Sequence, residues 1–150
     1  MPDAAEPALG SAALEDDRFV ADFEAGVYPH SRFRHADHVR LAWIYLRRFG
    51  VEEAEERIRG GIRSFARQAG AERKYHETVT IAWMRLVAIA LRLTPDTGEF
   101  HAFARLHGWL FRKDALLAFY SRERLASEAA RGEWAEPDVA AFPAPFRDPE

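Results

Sequence analysis

The chain has 150 residues, 48% of them apolar, with no cysteine and a formal charge of -3. That length and apolar content suit one domain with a sizeable core and argue against disorder. Disulfides, thiolate metal sites and cysteine nucleophiles are excluded, and the charge gives no reason to expect nucleic acid.

Residues 1–13 are small, polar and aperiodic and predict a loose tail. The start, Met1-Pro2-Asp3-Ala4-Ala5-Glu6, lacks a charged-then-apolar leader pattern, so a cytoplasmic protein is expected. Glu15 to Phe23 predicts a short helix with acids in its first turn, Phe19, Val20 and Phe23 inward, and Gly26 as its stop. Tyr28-Pro29-His30-Ser31 is a connection with His30 facing solvent. The next helix runs from His35 to Phe49, with Gly50 after it. Its inward line is His35, His38, Ala42, Tyr45 and Phe49. A third helix runs from Glu52 to Ala69, where Val51, Ala54, Ile58, Ile62 and Phe65 give the 3.6-residue period. Gly60-Gly61 lies on or beside that face and weakens the helix unless a neighbour packs closely there. Arg57, Arg59, Arg63 and Arg67 interleave with Glu52, Glu53, Glu55 and Glu56, as on a solvated, charge-paired surface.

The run Thr78 to Leu91 is apolar on almost every side, which makes it the central helix. Arg85 and Arg92 are its only strong charges, and it is short for a membrane span. His76, Thr80, Trp83 and Val87 follow helical spacing along one inward line. Leu93 to Gly98 is a break. Phe100 to Phe111 is aromatic-rich and helical, Asp114 to Tyr120 is a further helical piece, and Ser121 caps a segment Arg122 to Arg131. Residues 133–150 form an extended tail marked by Pro137, Pro143, Pro145 and Pro149. Trp134, Val139, Phe142 and Phe146 lay it over the body. The expected fold is all-α: a single-domain bundle of five or six helices around the buried central helix.

Two polar clusters stand at helix beginnings. In His35-x-x-His38 the i, i+3 spacing lets two imidazoles reach one ion. Tyr75-His76-Glu77 follows about forty residues later. If the two helices pack side by side, three imidazoles and a carboxylate converge, a donor set that suits zinc, iron, copper or manganese and not calcium. On this reading His35, His38 and His76 are ligands, and Glu77 is a fourth ligand or the base for a metal-bound water. Tyr45 and Tyr120 are the candidate phenols beside the cluster, and Thr80 could orient His76. The plainer reading makes the histidines hydrogen-bonded core-edge residues, His76 a helix cap and Glu77 a favourable charge at a helix start.

The pattern Phe33-x-His35-x-x-His38-x-x-Leu41-Ala42-Trp43-x-Tyr45-Leu46, then Tyr75-His76-Glu77-Thr78-x-Thr80, then Tyr120-Ser121 and Pro137-Asp138, resembles a family of small helical bacterial proteins of about this length. The resemblance spans roughly Phe19 to Pro143 and brings no activity with it. Arg34 stands where the pattern has a small hydroxyl residue. The leading expectation is a small metal-dependent enzyme, hydrolytic or oxidative, acting on a small molecule. The alternatives are a metal-free acid–base enzyme using His76 and Glu77, and a non-catalytic small-ligand or protein-binding module. Neither a nucleic-acid nor a membrane partner is expected, and a homodimer is compatible with the pattern.

Overall fold

Helix α4 (Glu77–Leu93) forms the axis of the molecule. From Thr80 to Ala90 every residue except Arg85 is buried. The computed structural model describes residues 5–143, with side chains from residue 12 onward. Within that span the chain is all-α and contains no strand. Two long helices, α2 (His35–Phe49) and α3 (Val51–Gln68), pack on α4 and on each other. Their junction is Gly50, whose φ of 82° lets one residue end α2 and start α3. Helix α1 (Ala5–Ala25) lies against α3. Gly61 of α3 faces Phe23 so closely that a Cβ there would come within 2.9 Å of the ring, the close neighbour that a mid-helix glycine implied. Gly60 meets nothing and has no such explanation. No helix among the described residues is long and apolar enough to cross a membrane.

Four segments differ from the sequence reading. α1 begins at Ala5, so the stretch expected to be a loose tail is helical from there to residue 13. Alanine-rich sequence carries helix propensity without an apolar period, and the period alone was diagnostic in that reading. The aromatic segment is α5 (Phe100–Leu106), then a 3-10 turn over Gly108–Phe111, with non-helical backbone at His107 between them. The next piece, Lys113–Ala118, is also 3-10 rather than α. The segment 122–131 is two five-residue helices, α6 (Arg122–Ala126) and α7 (Glu128–Gly132), because Ser121 and Ser127 each cap a helix start.

The start of α2 shows how a missing cap is replaced. Arg34 has no side-chain oxygen to offer. Instead Asp37 reaches back, and its carboxylate accepts the Arg34 N–H at 2.9 Å.

Residues 133–143 lie along the body as an extended strap. Phe142 is buried against Phe119, Tyr120 and Trp134. The Arg85 guanidinium stacks over Trp134 at 4.3 Å. Val139 is exposed, though its N–H is held by the Phe119 carbonyl at 2.8 Å. Phe146 lies outside the described residues.

Candidate functional site

The entrances of α2 and α4 meet. The His35 ring lies 4.3 Å from Trp83 of α4, and His38 faces the Thr80 backbone carbonyl. His30, His38 and His76 line one hollow of about 460 Å³ with Phe33, Phe65 and Tyr75. His30 is exposed and its ring rests on Phe65. The histidines therefore gather at one end of the bundle. What decides their chemistry is which ring nitrogens and carboxylate oxygens remain uncommitted.

His76 is fully committed. It is the N-cap of α4, and its Nδ1 accepts the Val79 N–H at 3.1 Å. Nδ1 is thus unprotonated, so Nε2 carries the hydrogen and donates it to the Leu125 carbonyl at 2.7 Å. Thr80 does not orient this ring; its hydroxyl interacts with the Tyr75 side chain.

Glu77 faces α3, away from the histidines. It is 4% exposed. Its Oε1 accepts the Tyr75 hydroxyl at 2.5 Å, with Arg63 Nη2 at 3.5 Å, and its Oε2 accepts Arg59 Nε at 2.8 Å. Burial alone would raise this carboxyl's pKa. The Tyr75 hydroxyl and the two guanidiniums outweigh it and hold the pKa below its ordinary value. A carboxylate with both oxygens engaged and its charge stabilised is a weak base and a poor ligand. Arg59 and Arg63, read as solvated surface charges, are therefore structural partners of Glu77.

The phenols lie elsewhere. Tyr45 donates to Glu24 Oε2 at 2.5 Å, tying α2 to α1, and Tyr120 donates to the Ala135 carbonyl at 2.7 Å, tying down the strap. Burial raises both pKa values well above the ordinary tyrosine range. His101 is exposed, and His107 Nε2 pairs with the Thr94 hydroxyl at 3.0 Å.

Two histidines keep an unused nitrogen. His35 Nε2 donates to the Leu110 carbonyl at 2.7 Å, which leaves Nδ1 as an acceptor without a hydrogen-bond partner among the described residues. Burial lowers the His35 pKa; the Leu110 carbonyl opposes this and the Lys113 charge adds to it. His38 is half-buried as a residue, yet its Nε2 atom is buried and has no hydrogen-bond partner among the described residues. Burial, with His35 nearby, pushes its pKa down to about 4.

A divalent metal does not fit this arrangement. Both nitrogens of His76 and both oxygens of Glu77 have protein partners. Among the described residues no three His, Asp or Glu side chains form a group able to hold an ion. The expected set His35, His38, His76 and Glu77 separates because Glu77, one position after His76, points to the other side of the helix start.

Besides the 460 Å³ hollow, a second of about 640 Å³ is lined by Phe33, Arg34, His35, His38, Phe111 and Lys113, and a more apolar cleft of about 620 Å³ lies between α4 and the 3-10 and α6 segments. Val79, Trp83, Leu116, Leu117, Leu125 and Ala126 make the apolar wall of this cleft, and His35, Lys113, Asp114 and Arg122 its polar groups. Apart from His35, the sequence reading assigned these residues no functional role. Lys113, Leu116 and Leu117 sit in a 3-10 stretch with no α period to flag it, and Arg122 looked like any surface arginine. The one available signal was Ser121, whose hydroxyl accepts the Arg124 N–H at 3.0 Å and so fixes the start of α6. Compared with known family models, with curated proteins and with solved structures, the chain matches none.

Proposed function

We propose that this chain is a small-molecule-binding helical module whose ligand occupies the cleft beside His35 and Trp83. The observation that carries the reading is the cleft itself, about 620 Å³ with mostly apolar walls and a few polar groups among its lining. That volume and lining match the usual properties of small-ligand sites. The commitments of His76 and Glu77 weigh against a metal-dependent enzyme and against acid–base chemistry by that pair.

One observation favours a second reading at the same cleft, a metal-free enzyme with His35 as base. Its Nε2–H is oriented by a backbone carbonyl, its Nδ1 lone pair is unused, and the ring is held neutral. Those are the attributes of a positioned general base.

The test of the binding reading is a fragment screen by amide chemical shift on the wild type and on Ala126→Trp. Ala126 is exposed at the cleft edge, so an indole there fills the space without entering the core. Binders should shift Val79, Trp83, Leu116 and Leu125 and be lost in the variant. Binders that map elsewhere, or that persist in Ala126→Trp, would overturn the reading.

A further inference from the structure

We infer that the ligand of this cleft is an organic anion, a carboxylate or similar group carried on a flat apolar body, with Lys113 and Arg122 receiving the negative end. The inference rests on the cleft being the binding site. It draws on a separate observation, the charge pattern at the cleft.

Asp114 is the only acid lining the cleft among the described residues, and its carboxylate lies 3.6 Å from Arg112 Nε. Lys113 and Arg122 line the same cleft, and neither has an ion-pair or hydrogen-bond partner for its side chain among the described residues. Elsewhere cations are matched, as Arg40 with Asp16, Arg47 with Asp96, Arg48 with Asp17, Arg57 with Glu53 and Arg85 with Glu55, or, like Arg18, Arg92 and Arg105, lie outside the lining of this cleft. In a chain of net charge -3, two unmatched cations beside one apolar cleft are a local excess of the opposite sign. A cation beside low-dielectric walls acts on an anion more strongly than the same cation in open water. Lys113 already acts on the site, since its charge disfavours protonation of His35. The body of the ligand follows from the wall, where the Trp83 indole and the Leu116, Leu117 and Leu125 side chains offer apolar contact. Each exposed cation contributes about threefold to affinity and the two together about tenfold, the scale of partly solvated ion pairs.

The experiment titrates the full chain with matched pairs, aryl and alkyl carboxylates beside their primary amides, 2-naphthylacetate and 2-naphthylacetamide among them. Affinity is read by calorimetry and the site by amide shifts, at low and at high salt. The carboxylates should bind in the cleft about tenfold more tightly than their amides. Lys113→Ala and Arg122→Ala should each remove about threefold from the carboxylate alone, and added salt should weaken the carboxylate alone. As a second readout, a bound carboxylate should raise the His35 pKa and a bound amide should not. Carboxylate and amide binding in the cleft with equal affinity would overturn the anion inference and leave the cleft as the site. No binding in the cleft by either member of any pair would overturn the cleft and the inference together.

Discussion

Thr78 is the most deeply placed polar side chain of α4, with 0% of its surface exposed. Its hydroxyl lies 2.6 Å from the Ala130 carbonyl and 2.9 Å from the Glu133 carbonyl, and it accepts the Ala135 N–H at 3.0 Å. One hydroxyl hydrogen serves one carbonyl at a time, so Thr78 makes one donated bond, to α7 or the start of the strap, and one accepted bond from the strap. Thr78→Val keeps the shape and deletes both. A net hydrogen bond contributes about 1 kcal/mol, and an orphaned buried donor costs about 1–3 kcal/mol. Ala135 is half-buried, so the lower part of that range applies to its N–H. The sum is a loss of about 2–3 kcal/mol, or roughly 5–10 °C in Tm for a chain of this size. Urea and thermal melts of the wild type, Thr78→Val and Thr78→Ser measure it. Serine keeps the hydroxyl and should lose about 1 kcal/mol, the effect of one buried methyl. Amide exchange at Ala135 and Val139 should accelerate in the valine variant only. A valine variant within about 0.5 kcal/mol of wild type, or a serine variant as damaged as the valine one, would refute the reasoning.

Trp83 is 4% exposed in the central helix, and Trp83→Ala should cost about 3–5 kcal/mol in a chemical melt; a loss under about 1 kcal/mol would make α4 peripheral. Glu77 has a depressed carboxyl pKa, so its contribution is present above the unfolded value of about 4.3 and fades as pH falls through the lower folded value. Glu77→Gln should lose about 1–3 kcal/mol at neutral pH, less than for a fully buried pair because Arg59 and Arg63 are 42% and 47% exposed, and should show a flatter acid limb in pH-dependent melts. His38 is the opposite case: folded His38 resists protonation down to about 4, whereas the unfolded residue takes a proton near 6.5. Stability should therefore fall as pH drops from about 6.5 to 4, by at most about 3 kcal/mol from this residue. His38→Leu should be less sensitive over that window, and the difference between the two melts isolates His38 from His35 and His107, whose pKa values are also lowered.

The central helix was legible because burial on all sides leaves a continuous apolar run, and Ile81 to Ala90 is that run with one break at Arg85. α2 and α3 were legible for a related reason: each carries a single periodic face, and Gly50 separates them. Residues 100–132 were harder, since 3-10 turns and five-residue helices are fixed by caps and distant contacts rather than by a repeat. The meeting of the two histidine entrances could be read from helix faces. The use of each nitrogen could not. His76 is satisfied by the Leu125 carbonyl, 49 residues further on, and His35 by the Leu110 carbonyl, 75 residues further on. No local pattern announces a partner that far along the chain. Glu77 was misplaced for a geometric reason. Adjacent residues at a helix start diverge by about 100°, so its partners Arg59 and Arg63 come from α3 rather than from the histidines beside it in sequence.

The most distinctive stretch of the sequence thus acts on the cleft from outside it. Tyr75 and Glu77 lock the start of α4 to α3. Thr78 holds the strap, and the strap in turn offers Asp138, whose carboxylate accepts the Ser121 N–H at 2.8 Å and the Ser121 hydroxyl at 2.6 Å. Ser121 caps α6, and His76 holds the Leu125 carbonyl of the same short helix. α6 has five residues, too few to be stable alone, and supplies Arg122, Leu125 and Ala126 to the cleft. One wall of the cleft is therefore fixed from two sides, by His76 directly and by Thr78 through the strap. Of the two imidazoles with an unused nitrogen, His38 and His35, the one that lines this cleft is His35, whose ring lies against Trp83 of α4. On the proposed reading, architecture and chemistry are divided between the two histidine motifs: Tyr75-His76-Glu77 holds the cleft wall, and His35 lines the cleft.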